Sequence, residues 1–364
     1  MLKRLFSPLY NFLNDSRAIG IVLIICTIAS LLLANSPLQE SWLQGWEFVE
    51  HWINDGLMVL FFFMAGMEIK RELVTGELSS VQQAILPVLA AIGGMLVPAA
   101  IFTLFNAGSP YANGWGIPMA TDIAFSLGVI SLLGDRVPLP LKIFLTALAI
   151  IDDLGAIITI AVFYTASLNF MYLIGAGGIL ILLAVLNRCK VQNLIFYFIP
   201  GILLWYCILH SGIHATVAGV LLAFTIPLTK MDDLIHQLHK PVNFIIMPLF
   251  ALANTAIVMP ADLGQIFQHT ISYGIIAGLV LGKPLGIFLF SLIAVKTRIA
   301  ALPSQSTWHQ LWGVGLLAGI GFTMSIFIAT LAYTDANWQV YSKIAVMTAS
   351  LIAGIAGYLY LRKS

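Results

Sequence analysis

Two adjacent aspartates, Asp152 and Asp153, stand in the run LTALAIIDDLGAIITIAV, with apolar residues flanking them for two turns of helix on either side. A third, Asp122, lies in IPMATDIAFSLGV, and Lys283 lies deep in the apolar run from Ile275 to Ala294. A carboxylate or ammonium at the centre of a membrane span costs roughly 2.5–3.5 kcal/mol on insertion scales, so such groups persist where they pair, meet water or do chemistry. Three carboxylates and one ammonium together cost on the order of 10 kcal/mol before any pairing. Asp55 and Glu68 are nearer the ends of their apolar run.

The chemistry such a set can do is reversible protonation and coordination of a hard cation. Adjacent residues on a helix project about 100° apart, so one of Asp152 and Asp153 can face a water-filled cavity while the other meets a neighbouring helix. Lys283 is the candidate partner for the latter. Acid outnumbers base, so at least one carboxylate stays unpaired, which argues against an inert salt bridge. Apolar surroundings favour the neutral form of a titratable group, and carboxylate oxygens suit a hard monovalent cation better than a soft metal. Proton and cation then compete for the same oxygens.

The elements that must position these groups are membrane helices. Of 364 residues 60% are hydrophobic and 9% charged, against about 25% charged in a soluble domain, and the mean hydropathy is +0.97. At about 30 residues per span and connection the chain allows on the order of twelve crossings. The apolar runs place them near residues 18–34, 54–75, 82–105, 112–134, 138–165, 170–187, 194–209, 212–227, 240–260, 272–295, 309–332 and 338–361. Alternate connections carry Lys3, Arg4 and Arg17; Lys70 and Arg71; Arg136 and Lys142; Arg188 and Lys190; Lys230 and Lys240; Lys296 and Arg298; Arg362 and Lys363. That is 15 of 17 basic residues on one side, while Glu40, Glu47, Glu50, Asp262 and Asp335 lie opposite with Lys343. The positive-inside rule then puts both termini in the cytoplasm. The whole chain, residues 1–364, reads as a single integral membrane unit. With a net charge of +1 nothing points to nucleic acid.

Gly114, Gly116 and Pro118 precede Ala120, Thr121 and Asp122 in the fourth span, and Gly313, Gly315, Gly319 and Gly321 cluster in the eleventh. Each glycine costs about 1 kcal/mol relative to alanine in a helix. Such clusters at membrane depth suggest unwinding, tolerated only where backbone lines a cavity or is buried in protein; for Gly315 and Gly319 a GxxxG packing face is the alternative. Two interrupted spans in corresponding halves point to a transport site, and Asp122 and Lys283 are placed to offset the partial charges of half-helix ends. His210 and His214 are four apart but have no third ligand for zinc. His236 and His239 stand at a cytoplasmic helix start, as solvated surface or as proton sensors. Cys26, Cys189 and Cys207 read as apolar fillers. No signal-peptide cleavage site precedes the first span, and no phosphate-binding loop supports ATP-driven pumping.

Through WINDGLMVLFF, GMEIKREL, PMATDIAFSLGV, LKIFLTALAIIDDLGAI, SGIHATVAGV, LGKPLGIFLF and GIGFTMSIFIA the sequence resembles the NhaA family of bacterial sodium/proton antiporters, from about Ile19 to Arg362. The resemblance implies an all-α fold of twelve transmembrane helices in the inner membrane, with the inverted-topology repeats of which that family is itself a worked example, and discontinuous spans 4 and 11. It implies that Asp152, Asp153 and Thr121 form the site for Na+ (or Li+) and protons, that Lys283 pairs with Asp152, and that Asp122 compensates charge at the break. Glu68, His214 and His236 match positions linked to pH response. No cofactor and no enzymatic activity are implied, and a homodimer is possible within the family. External protons would then drive sodium out electrogenically.

Two departures stand out. The stretch MDDLIHQLH has Asp232, Asp233 and Ile235 where better-known members carry basic residues and a glutamate, and the external loop 37–54 is short and lacks the β-hairpin that helps some relatives dimerise. A passive cation channel, and more remotely an intramembrane aspartyl protease, would also need buried carboxylates; the protease requires two converging on one water.

Overall fold

The computed structural model describes residues 16–165, 167–260, 264 and 268–363; Lys3, Arg4 and Asp262 lie outside them. Those residues form helices and no strand. The helices are α1 Ser16–Ala34, α2 Gln39–Glu47, α3 Glu50–Val74, α4 Val81–Asn106, α5 Ile123–Ser131, α6 Leu139–Phe163, α7 Phe170–Arg188, α8 Ile195–Ser211, α9 Val217–Thr225, α10 Leu228–Pro241, α11 Met247–Asn254, α12 Thr270–Lys296, α13 Trp308–Ala318, α14 Phe322–Ala332 and α15 Ala336–Lys363. Among the described residues α3, α4, α6, α7, α12 and α15 are each long and apolar enough to cross a bilayer, and eight segments qualify if α1 with α2 and α13 with α14 are each one bent span.

Each of the twelve expected segments contains helix, but several are shorter or differently bounded. The fourth is a 3-10 segment, Ala112–Met119, followed by extended Ala120 and Asp122 and the nine-residue α5. Pro118 lacks an N–H for an α-helical ladder, which accounts for the local change of geometry. The ninth begins well before residue 240: α10 leads through a π turn, Val242–Ile246, into α11, which ends at Asn254. The connection 37–54, expected to be external, is itself largely helical, with α2 folded back 118° from α1.

Two helix pairs set the frame of the core. Helices α4 and α12 cross so closely that a Cβ on Gly286 would stand 2.0 Å from the Gly93 carbonyl oxygen, and α3 meets α9 where a Cβ on Gly219 would lie 2.3 Å from the Val59 oxygen. Small residues allow such approach where lipid gives helices no hydrophobic drive to associate. At the periphery α7 and α8 turn Phe170, Met171, Ile174, Ile199 and Ile202 outward, a surface suited to lipid tails.

Candidate functional site

Helix α6 carries Asp152 and Asp153 into the centre of the protein, where both are buried. Its neighbour α12 relaxes into a π turn at Gly278–Gly282 immediately before Lys283, which is fully buried; such bulges are frequent at functional positions because they re-aim one side chain. Lys283 Nζ lies 2.7 Å from Asp152 Oδ2 and also donates to the Met119 carbonyl. Thr121 Oγ1 is 2.8 Å from Asp152 Oδ2 and 2.9 Å from the Ala318 carbonyl oxygen. The paired aspartate of the adjacent couple is therefore Asp152.

Asp153 faces the other way, into a cavity of about 680 Å³ that it lines with Asp122, Thr323, Glu68, Asn243 and His236. The cavity continues to Arg71, Asp232, His239 and Lys240, on the side bearing most of the basic residues. Among the described residues three buried side-chain polar atoms have no hydrogen-bond partner: Asp152 Oδ1, Asp153 Oδ1 and Ser291 Oγ. A buried lone pair without a partner is costly, and two such carboxylate oxygens on consecutive residues are acceptors left open for a proton or a hard cation. A larger cavity, about 780 Å³, is bordered by Glu40, Glu47 and Glu50; none of the buried aspartates lines it.

The chain breaks position the remaining groups. Helices α13 and α14 meet at a 46° bend, and the Asp122 N–H donates to the Ile320 carbonyl oxygen at 2.7 Å, crossing the two interrupted segments. The Asp122 carboxylate accepts from the Phe125 N–H at 3.0 Å and the Thr323 N–H at 3.1 Å, and also from the Thr323 hydroxyl. It thus caps the N-termini of both α5 and α14, whose unsatisfied N–H groups carry partial positive charge. On the opposite sense of the crossing, the Met119 and Ala318 carbonyls meet Lys283 and Thr121. The N-terminal N–H groups at the break thus meet a carboxylate, the Met119 carbonyl an ammonium and the Ala318 carbonyl a neutral hydroxyl.

The three residues expected to respond to pH do not cluster. Glu68 and His236 line the cavity. His214 sits elsewhere, with Nε2 3.0 Å from Asp55 Oδ1 and Nδ1 2.9 Å from Thr216 Oγ1, while His51 Nδ1 lies 2.8 Å from Asp55 Oδ2. At the cavity mouth Arg71 stands 3.6 Å from both Glu72 and Asp232, so the acidic replacement at 232 faces an arginine, whereas Ile235 is part of the cavity wall. His239, at the same mouth, is held below the ordinary histidine range by burial, with His236 and Lys240 adding repulsion.

Sequence reasoning did not single out Asn243, the Met119 and Ala318 carbonyls, or Thr323 as a ligand of Asp122. Backbone carbonyls carry no signal in side-chain identity; Thr323, directly after the glycine cluster, was the one legible hint.

A helical membrane protein in which two interrupted segments cross beside a buried lysine and two incompletely partnered carboxylates is built as an ion carrier. Residues 10–361 match the family described as Na+/H+ antiporter 1, and the chain belongs to that family. It is 54% identical to the Na(+)/H(+) antiporter NhaA 2 of Flavobacterium johnsoniae, over 96% of this chain and 91% of that one. It is 53% identical to the Na(+)/H(+) antiporter NhaA of Cytophaga hutchinsonii, covering 97% and 94%, and 51% identical to that of Dechloromonas aromatica, covering 96% and 94%. Antiporters are transporters rather than enzymes.

Proposed function

We propose that this protein is an electrogenic secondary antiporter of the bacterial inner membrane, exporting cytoplasmic Na+ or Li+ in exchange for external protons by alternating access. Twelve crossings with both termini cytoplasmic, spans 4 and 11 discontinuous, form one transport unit. Asp153 receives the ion from the cavity, and Asp152, Thr121 and Lys283 form the wall behind it. The observation that carries the reading is the pair of buried oxygens without partners, Asp152 Oδ1 and Asp153 Oδ1, of which Asp153 lines the cavity that continues to Arg71 and Lys240.

The cycle follows from charge. With both carboxylates ionised, Lys283 balances one and a monovalent cation balances the other. With both protonated, neither needs a cation. Exchange of two protons for one cation therefore moves net charge, and a membrane potential drives it. Asp122 holds the crossing together in both states, because the helix termini it caps are fixed partial charges that do not titrate. Glu68 and His236 line the approach, and it is there that the proposal puts the pH response.

Proteoliposomes with an imposed sodium gradient test this. Proton movement that requires sodium, and responds to an imposed potential, is the expected result. Sodium conductance without proton movement would identify a channel instead and overturn the proposal.

A further inference from the structure

The 3-10 segment Ala112–Met119 runs from the exposed Asn113 to the carbonyl of Met119 that Lys283 holds. Short 3-10 pieces have poorer internal hydrogen bonding than α-helix, and here side chains from other elements supply what the backbone lacks. Tyr164, just beyond α6, donates its hydroxyl to the Asn113 carbonyl at 2.8 Å and accepts from the Gly116 N–H at 3.2 Å. Tyr333, just beyond α14, donates to the Tyr111 carbonyl at 2.8 Å. Ser325 donates to the Ile117 carbonyl at 2.7 Å. The two phenols leave no room for a side chain at two of its positions: a Cβ on Gly114 would lie 1.9 Å from the Tyr333 oxygen, and one on Gly116 2.7 Å from the Tyr164 oxygen. Trp115 closes edge-on against Phe163, with ring centroids 4.9 Å apart.

We propose that Ala112–Met119 is the outer gate of the ion site, latched shut by the hydroxyls of Tyr164 and Tyr333. The inference rests on the antiporter reading above, which requires the site to open to the outside. Both tyrosines are in connections lacking basic residues, opposite the mouth of the cavity that reaches Asp153. Behind them Gly116, Ile117 and Thr159 are buried, and they separate the outer surface from the Asp152–Lys283 pair. In this proposal opening toward the outside moves this segment, because it is 3-10 rather than α-helical and so has the poorer internal hydrogen bonding. Its outer end is held by two phenols. Its inner end is held by the same lysine that balances Asp152. A change of charge at Asp152 therefore acts on both the ion and the inner end of the gate through one ammonium.

Side-resolved thiol labelling tests the gate without using transport as the readout, so failure of exchange and failure of the gate are separable. With Cys26, Cys189 and Cys207 replaced by serine, a Thr159→Cys substitution puts a thiol directly behind the latch. Membrane-impermeant maleimide is then applied to right-side-out and to inside-out vesicles. Tyr164→Phe leaves the exposed Asn113 carbonyl to water and takes the acceptor from the Gly116 N–H, so it loosens the segment at both contacts. It raises labelling from the outside about twofold to tenfold, the shift in open-state occupancy expected for loss of a net hydrogen bond, and leaves labelling from the inside unchanged. Tyr333→Phe acts in the same direction and carries the test alone if the first variant does not fold. Unchanged or lower outside labelling in both variants overturns the proposal. So does a rise from both sides, which reports general loosening and not a gate.

Discussion

Replacing Lys283 with methionine keeps most of the apolar stem of the side chain and removes its ammonium and its charge. In the wild-type protein the ammonium sits 2.7 Å from Asp152 Oδ2, and both side chains are fully buried. Among the described residues Asp152 pairs with no other cation: its remaining partner is Thr121, and its second oxygen has none. Removing one member of a buried pair and stranding the other costs about 3–5 kcal/mol. Solvent screening, which makes exposed pairs weak, does not reduce that figure where neither group is accessible. At roughly 2–4 °C per kcal/mol, an upper value for a chain this long, the melting midpoint falls on the order of 10 °C. The assay is thermal unfolding in detergent, followed by intrinsic tryptophan fluorescence at fixed scan rate. The decisive comparison is the double variant Asp152→Asn/Lys283→Met, which removes the stranded charge. It recovers most of the lost stability, short of about 1–3 kcal/mol for the Met119 carbonyl left without a donor. A double variant no more stable than Lys283→Met alone would refute the pairing, since independent losses add and coupled ones do not. Acidification should also narrow the gap between Lys283→Met and wild type, as Asp152 takes up the proton that replaces its counter-charge.

Asp153→Asn abolishes sodium-dependent proton movement in proteoliposomes, because an amide can neither carry the proton nor balance a cation; retained exchange would remove Asp153 from the site. Gly286→Ala forces a methyl against the Gly93 carbonyl at the α4–α12 crossing and lowers stability by about 1–3 kcal/mol, the cost of overpacking, read as a fall in melting temperature. His239→Gln blunts the loss of stability in acid. With its folded value below the usual 6.5, the unfolded chain takes the proton first, so stability falls as pH drops below about 6.5 and through the folded value. A wild-type-like melting curve against pH in that variant would show that His239 does not titrate on unfolding.

How much was legible beforehand differs from residue to residue. Asp152, Asp153, Asp122 and Lys283 stood out because a charge in a long apolar run has few explanations, and the structure brings all four to one region. Which aspartate pairs with Lys283 was open to residue spacing alone, since a 100° offset leaves either one facing either way; the direction in which α12 approaches α6 decides it. The glycine clusters marked where the chain would break but not how the breaks would cross. That Asp122 caps two helices at once follows from the approach of Ile320 to the Asp122 N–H, a contact between segments almost 200 residues apart. Helix bounds were least legible around residue 240, where a charged amphipathic stretch continues into an apolar helix without a stop signal.

The sequence by itself determined the solvent, and it carried the expectation of orientation and the chemical class proposed for the site. Hydropathy and the placement of lysine and arginine depend on transfer energies that each segment carries wherever it packs. Tertiary structure alone decided the rest: Asp153 in the cavity, Asp152 held between Lys283 and Thr121, His214 paired with Asp55 away from Glu68 and His236, and the phenols of Tyr164 and Tyr333 on the 3-10 segment. Those outcomes depend on the relative rotation of helices distant in sequence, and a rotation of one residue turns a side chain by about 100°, from a neighbouring helix into a cavity.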